Sequence, residues 1–129
     1  MDKDKSNDTL TLKWSNLLDF ESETVSKNAS EKEGVYRLSQ LNSKNREYEV
    51  FYVGRAENIK ERLLEHLSQD EENDCIKNKV AKGNNKFKFA LIPLEEDRKN
   101  AEHTLYHHYN KPSCNKVEPE GKIIQINFN

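Results

Sequence analysis

The chain lacks any run of apolar residues long enough to cross a bilayer, and its first nine residues, MDKDKSNDT, hold no apolar stretch of the kind a signal peptide needs. Those absences predict a soluble cytoplasmic protein with no membrane partner. Cysteine is nearly missing: the 2 present, Cys75 and Cys114, stand far apart and outside any CxxC pattern. That spacing suggests neither a zinc site nor a disulfide framework, and a reducing compartment suits it. There is no excess of positive charge. With 21 basic and 23 acidic side chains the net charge is −2, which argues against a strongly basic nucleic-acid coat. Internal repeats and low-complexity tracts are absent. Hydrophobic residues make up only 33% and charged residues 34% of 129, so one domain with a modest core is what the chain supports.

Within those limits the pattern of residues is α/β. Residues 1–9 are polar and read as a frayed end. Leu10, Leu12, Trp14, Leu17, Leu18 and Phe20 form an apolar segment that should dock on the core as a strand entering a short helix. Residues 21–33 are polar and helix-tolerant, with a loop near Asn28 to Ser30. Residues 34–40 (GVYRLSQ) alternate, placing Val35 on one face and Tyr36 and Leu38 on the other. After the turn chemistry of NSKNR, residues 47–54 (EYEVFYVG) are the strongest strand, and the two runs predict an antiparallel hairpin. Ile59, Leu63, Leu64 and Leu67 then make a helical stripe. A shorter helical piece breaks at Gly83 and Asn84-Asn85. A third strand over KFKFALIPL ends at Pro93, and a helix runs from Glu95 to Tyr109, with Ala101, Leu105 and His108 or Tyr109 as its buried stripe and Pro112 beyond its end. The closing residues, GKIIQINFN, alternate weakly as an edge strand.

Charge is unevenly placed. Residues 75–92 carry Lys77, Lys79, Lys82, Lys86 and Lys88 and no acid, directly after the acidic knot of Asp70, Glu71, Glu72 and Asp74. A local basic face of that kind binds phosphate even on a neutral protein, although charge alone fits a solvated surface better.

One set of residues offers chemistry suited to a phosphodiester. Cutting one requires deprotonating water and neutralising charge on the phosphoryl oxygens, which calls for cationic side chains, a proton acceptor and a divalent ion. Arg62 and His66 are four apart on one helix face. Arg55 stands at that helix's entrance, where free N–H groups already favour an anion. Glu102 sits mid-helix with Lys99 as its only near cation. Tyr36 and Tyr52 lie on neighbouring strands, so their hydroxyls approach each other across the hairpin. Taken singly, each has an ordinary explanation in strand packing or a solvated helix face. His103 and His107, also four apart, lack a third ligand at a suitable spacing and read as surface or packing residues.

In order along the chain, Gly34-Val35-Tyr36, Tyr52-Val53-Gly54-Arg55, Asn58, Arg62, His66, Glu102 and Asn115 resemble the GIY-YIG nuclease family, with Val in place of the usual Ile in both motifs. The segment Lys111-Pro112-Ser113-Cys114-Asn115 is similar to the family's proline-then-asparagine ending. The resemblance implies a catalytic domain over 31–116; the flanks are then an N-terminal extension over 1–30, docking on it through its apolar residues, and a C-terminal tail over 117–129 with its weakly alternating edge strand. It implies a small α/β (α+β) fold with a three-stranded antiparallel central sheet flanked by helices. It further implies a metal-dependent DNA endonuclease that hydrolyses phosphodiester bonds with water and uses Mg²⁺ or Mn²⁺. On that analogy Glu102 binds the metal and Arg62 holds the scissile phosphate. Tyr36 or Tyr52 orients or deprotonates the water, and His66 assists proton transfer. Gly34, Gly54, Asn58 and Asn115 support the site. Arg55 stands where many members carry lysine and cannot accept a proton at neutral pH.

The flanks are too short for a second DNA-reading domain, so target choice is expected to come from the lysine-rich region as a DNA-binding surface, from DNA shape, or from a targeting partner or second copy. The alternative from another class is a non-cleaving nucleic-acid-binding module that retains the fold. The intact Tyr36, Tyr52, Arg62 and Glu102 set favours the enzyme.

Overall fold

A computed structural model describes residues 7–128. The expected fraying over residues 1–9 falls for residues 1–6 outside the described residues, whereas Asn7 is tied down, its backbone N–H and side-chain amide both donating to the Asp97 carboxylate at 2.8 Å.

Two short strands open the chain, β1 (Thr9–Leu12) and β2 (Leu18–Asp19), followed by the helix α1 (Ser22–Asn28). The hairpin is β3 (Gly34–Asn42) and β4 (Glu47–Ala56). Next come α2 (Ile59–Leu67), α3 (Asp74–Lys82), β5 (Asn85–Leu91), the long helix α4 (Glu95–His108) and the closing strand β6 (Gln125–Phe128).

Side-chain chemistry sets most of these boundaries. Between β3 and β4 the side chain of Asn42 accepts from the Lys44 N–H and that of Asn45 from the Glu47 N–H, each at 2.9 Å, so the loop supplies its own hydrogen bonds. Asn58 caps α2 by accepting from the Glu61 N–H at 3.0 Å, and Asn73 caps α3 by accepting from the Ile76 N–H at 3.2 Å. Helix α3 stops at Gly83, whose φ of 81° suits a residue without Cβ.

The main sheet has the order β2-β5-β3-β4, with all pairings antiparallel. It is therefore four-stranded rather than three-stranded. The addition is the two-residue β2, too short to announce itself by alternation. Strand β6 pairs with β1 in parallel as a separate two-stranded sheet. Alternation on β3 sorts the core into two layers. Tyr36 and Leu38 join Phe51, Phe87, Ile59, Leu63 and Ile76 beneath the first three helices, whereas Val35 and Val53 join Leu12, Ala90, Ala101 and Leu105 beneath α4. On α4 the next buried apolar residue is Tyr106, while His108 is exposed.

The cysteines depart from expectation: Cys75 and Cys114 are joined in a disulfide with Cα atoms 5.2 Å apart. The fold brings them together because the segment after α4 returns to the sheet, where the Cys114 N–H donates to the Phe51 carbonyl at 2.8 Å and the Asn73 amide donates to the Cys114 carbonyl at 2.9 Å. A separation of 39 residues gave no hint of it. Among the described residues no helix is long and apolar enough to cross a membrane.

Candidate active site

The site forms along the outer edge of β4, where the two layers of the molecule meet. Register does most of the placing. Tyr36 pairs with Gly54 and Leu38 with Tyr52, so both tyrosines project from the same face of the sheet, their ring centroids 6.2 Å apart. Val53 and Arg55 alternate to the other face, toward α4.

Both motif glycines are required by close approach. A Cβ on Gly54 would lie 2.5 Å from the Cζ and hydroxyl oxygen of Tyr36. A Cβ on Gly34 would lie 2.1 Å from the Ala90 carbonyl oxygen of the neighbouring strand.

On the tyrosine face a line of three groups runs inward. The Tyr36 hydroxyl lies 2.7 Å from His66 Nε2, and His66 Nδ1 lies 2.7 Å from Glu71 Oε2. A carboxylate only accepts, so Nδ1 carries the proton and Nε2 accepts from the tyrosine. Burial and the Arg62 charge lower the His66 pKa despite Glu71, which keeps the ring a neutral acceptor. Burial alone would raise the Glu71 pKa, but the Asn73 N–H at 2.9 Å and His66 overcome it and lower the value. Burial raises the Tyr36 pKa well above the usual tyrosine value, with Tyr52 adding and Arg62 opposing. Burial likewise raises Tyr52, again against Arg62.

On the other face Arg55 donates from Nη1 to Glu102 Oε1 at 2.8 Å and from Nη2 to Glu120 Oε1 at 3.2 Å. The neutralising cation for Glu102 thus comes from β4, while Lys99 turns to Glu120 at 3.5 Å. Burial raises the Glu102 pKa and Arg55 works against that rise. Tyr52, Arg55, Asn73, Glu102 and Asn115 line one cleft of about 620 Å³, and Arg55, Asn58 and Arg62 line the one beside it. The Arg62 guanidinium pairs with Glu65 at 3.1 Å on the helix surface and also reaches toward Tyr52, holding down the rise in the tyrosine's pKa.

Asn115 closes the edge of the sheet. Its Oδ1 accepts from the Val53 N–H and its Nδ2 donates to the Val53 carbonyl, both at 2.9 Å. This is the hydrogen-bond pattern of a neighbouring strand, compressed into one side chain.

The structure brings together Tyr36, Tyr52, Arg55, Arg62, His66 and Glu102, with Gly34, Gly54, Asn58 and Asn115 holding them. It does not bring the five lysines to the clefts. Lys79 and Lys82 line a groove with Gln40 and Glu49, Lys86 pairs with Asp19, Lys88 stands across from Arg37 on the α4 side of the sheet, and Lys77 is exposed on α3. Sequence reasoning missed Glu71 and Glu120. Glu71 is five residues beyond His66, which is no helical spacing, and it folds back only because α2 ends at Leu67.

A hairpin that offers tyrosines from one face and an arginine–carboxylate pair from the other, at one edge of a small antiparallel sheet, is the architecture of an α+β nuclease domain. The family model of the GIY-YIG catalytic domain matches residues 32–116, most of the chain, and the chain belongs to that family of nucleases. It is also similar in fold to crystal structures of the GIY-YIG N-terminal endonuclease domain of UvrC from Thermotoga maritima. An Asn-to-Ala point mutant of that domain, bound to its catalytic divalent cation, is 19% identical with a TM-score of 0.56. Two Tyr-to-Phe point mutants, also cation-bound, are 21% and 20% identical with TM-scores of 0.54. Each alignment covers 72% of this chain and 96% of that one. No curated protein matches the chain by sequence.

Proposed function

We propose that this nuclease is a divalent-metal-dependent endonuclease that hydrolyses DNA phosphodiesters with water, and that residues 31–116 are its catalytic unit. One observation carries the reading: Tyr36, Tyr52, Arg62 and Glu102, dispersed over two strands and two helices, converge at one edge of the sheet.

The site suits a hard cation. Glu102 is buried except for its opening onto the cleft, and among the described residues its only hydrogen bond is to Oε1. Oε2 therefore has no protein partner, which fits Mg²⁺ or Mn²⁺ held by one carboxylate and completed by waters and phosphate oxygens. When bound, the ion would neutralise charge on the phosphoryl oxygens. The catalytic divalent cation bound in the Thermotoga domains supports a divalent ion, without naming which.

The one ion pair of Arg62 among the described residues is with the exposed Glu65, which it can release to grip a phosphate as a fork of donors. Burial holds both tyrosines as neutral phenols, so a phenol can move a proton only if an acceptor adjoins it. Tyr36 has one in His66 Nε2. Tyr36 is buried and lines neither cleft, so it takes a proton from the attacking water only once substrate binding opens a path to its hydroxyl. Its own proton then passes to His66, and Glu71 steadies the imidazolium that results. Tyr52 lines the cleft and has no such acceptor among the described residues, so its task is to position the water. Target choice falls to surfaces outside the clefts, to DNA shape, or to a partner.

Supercoiled plasmid with and without Mg²⁺ or Mn²⁺ tests the proposal. Metal-dependent nicking should vanish in Glu102→Ala and in Arg62→Ala. Nicking retained by Glu102→Ala, or plasmid binding without nicking, would overturn it.

A further inference from the structure

Helix α4 carries a second group of donors that the nuclease reading does not use. His103 and His107 are one turn apart on the same face, their rings in edge contact with centroids 4.8 Å apart. The third ligand that their spacing alone did not supply comes from the segment after the sheet edge. Glu118 places Oε1 3.5 Å from His107 Nε2 and Oε2 3.8 Å from His103 Nδ1. One donor atom from each of the three residues lies within 4.8 Å of the others.

We propose that His103, His107 and Glu118 bind a single transition-metal ion of the Zn²⁺ class, at a site separate from Glu102. Three observations carry this. First, Glu118 Oε1 stands 3.5 Å from His107 Nε2, beyond an ordinary hydrogen bond, so these two donors face each other without satisfying each other. Second, two imidazole nitrogens with one carboxylate are borderline-soft ligands that favour Zn²⁺ or Co²⁺ over the Mg²⁺ suited to a lone carboxylate. Third, His103 Nδ1 donates to the Pro119 carbonyl at 2.8 Å. That bond orients the ring and fixes the tautomer, as backbone carbonyls do for metal-bound histidines, so Nε2 rather than Nδ1 is the His103 nitrogen that would ligate.

An ion held at about 2.0–2.2 Å draws its ligands to within roughly 3.4 Å of one another. The closing movement is available, since His107 and Glu118 have side chains 36% and 52% exposed. Water would fill the remaining position. The cysteines do not compete, being joined to each other.

The consequence is a clip. Glu118 and Glu120 belong to one short segment, and Glu120 reaches Arg55 and Lys99 beside the cleft. A metal on Glu118 would fasten that segment to α4 and with it the outer partner of Arg55. The binding itself does not depend on the nuclease reading.

The test is a Co²⁺ titration of the chelator-treated, tag-free protein with its disulfide intact, followed by visible absorption. One equivalent should bind in the wild type and in Glu102→Gln, should be lost in His107→Ala, and should bind at least about 10-fold more weakly in Glu118→Gln. Both altered side chains are exposed, and circular dichroism checks that each variant folds. Hydrogen exchange should slow across 117–120 when Zn²⁺ is added to the wild type and not to His107→Ala. Binding that disappears in Glu102→Gln but survives in His107→Ala would overturn the site while leaving the nuclease reading intact. Co²⁺ binding lost in His107→Ala, in a protein that never nicks DNA, would do the reverse.

Discussion

Tyr36 lies directly across the hairpin ladder from Gly54, and its ring and hydroxyl occupy the space that any side chain at position 54 would need. The first glycine–tyrosine motif and the second are therefore one packing unit. The tyrosine of one depends on the glycine of the other.

Gly54→Ala is expected to displace a fully buried ring and to cost about 1–3 kcal/mol, the range for overpacking a core. Denaturant unfolding measures the loss. Nicking should fall further than stability accounts for, because the displaced hydroxyl leaves His66. Tyr36→Phe separates the two effects: it keeps the ring and should lower turnover by roughly 10²–10⁴-fold, the usual contribution of proton transfer. A Tyr36→Phe enzyme with near-normal turnover would remove Tyr36 from the chemistry.

Acidity acts through His66. Below its lowered pKa the imidazole is protonated and cannot take the tyrosine proton, so turnover should fall on the acid side. Glu71→Gln removes a carboxylate that favours the imidazolium. The acid limb should then move to lower pH while the plateau drops by at least about 10-fold. A pH–rate profile of the two proteins checks both shifts.

The same pair ties folding to pH with one sign. His66 binds its proton more weakly folded than unfolded, so stability should decline as pH falls from 6.5 through the lowered value. Glu71 adds stability above its ordinary 4.5 that is lost as pH falls through its lowered folded value. Chemical denaturation at several pH values should show stability rising from acid toward neutral, and Glu71→Gln should flatten the acid end of that rise.

Arg55→Ala leaves Glu102 buried without its cation, so the carboxyl pKa should climb further. Metal-dependent nicking should then demand a higher pH or more Mg²⁺, and Arg55→Lys should recover part of the loss. An unchanged Mg²⁺ requirement in Arg55→Ala would separate Arg55 from the metal site.

Reducing the disulfide reopens a loop of 39 residues. By loop-closure entropy this should cost about 4 kcal/mol, with a lowered unfolding midpoint in reductant. The double variant Cys75→Ser, Cys114→Ser should show the same loss without reductant and be insensitive to it.

How much of this was legible in the sequence depended on distance along the chain. The alternation of Val35, Tyr36 and Leu38 placed the tyrosine on its face, and the four-residue step from Arg62 to His66 placed both on one helix, because those relations are local. The ordered motif located Glu102 without showing what neutralises it, since Arg55 reaches it from a strand 47 residues away. Cys75 with Cys114, His66 with Glu71, and Glu118 with the α4 histidines are products of chain reversals that no periodicity records. The five lysines showed the opposite limit. They cluster in sequence, yet alternating strand faces and a turning helix disperse them.

Asn115 has a consequence of its own. An uncovered outer strand invites a neighbouring molecule to zip onto it, and here such an intruder would lie across the reactive groups. By answering both polar atoms of Val53 with a single amide, the chain blocks that template at its most sensitive rung while leaving the adjoining opening clear for a nucleic acid.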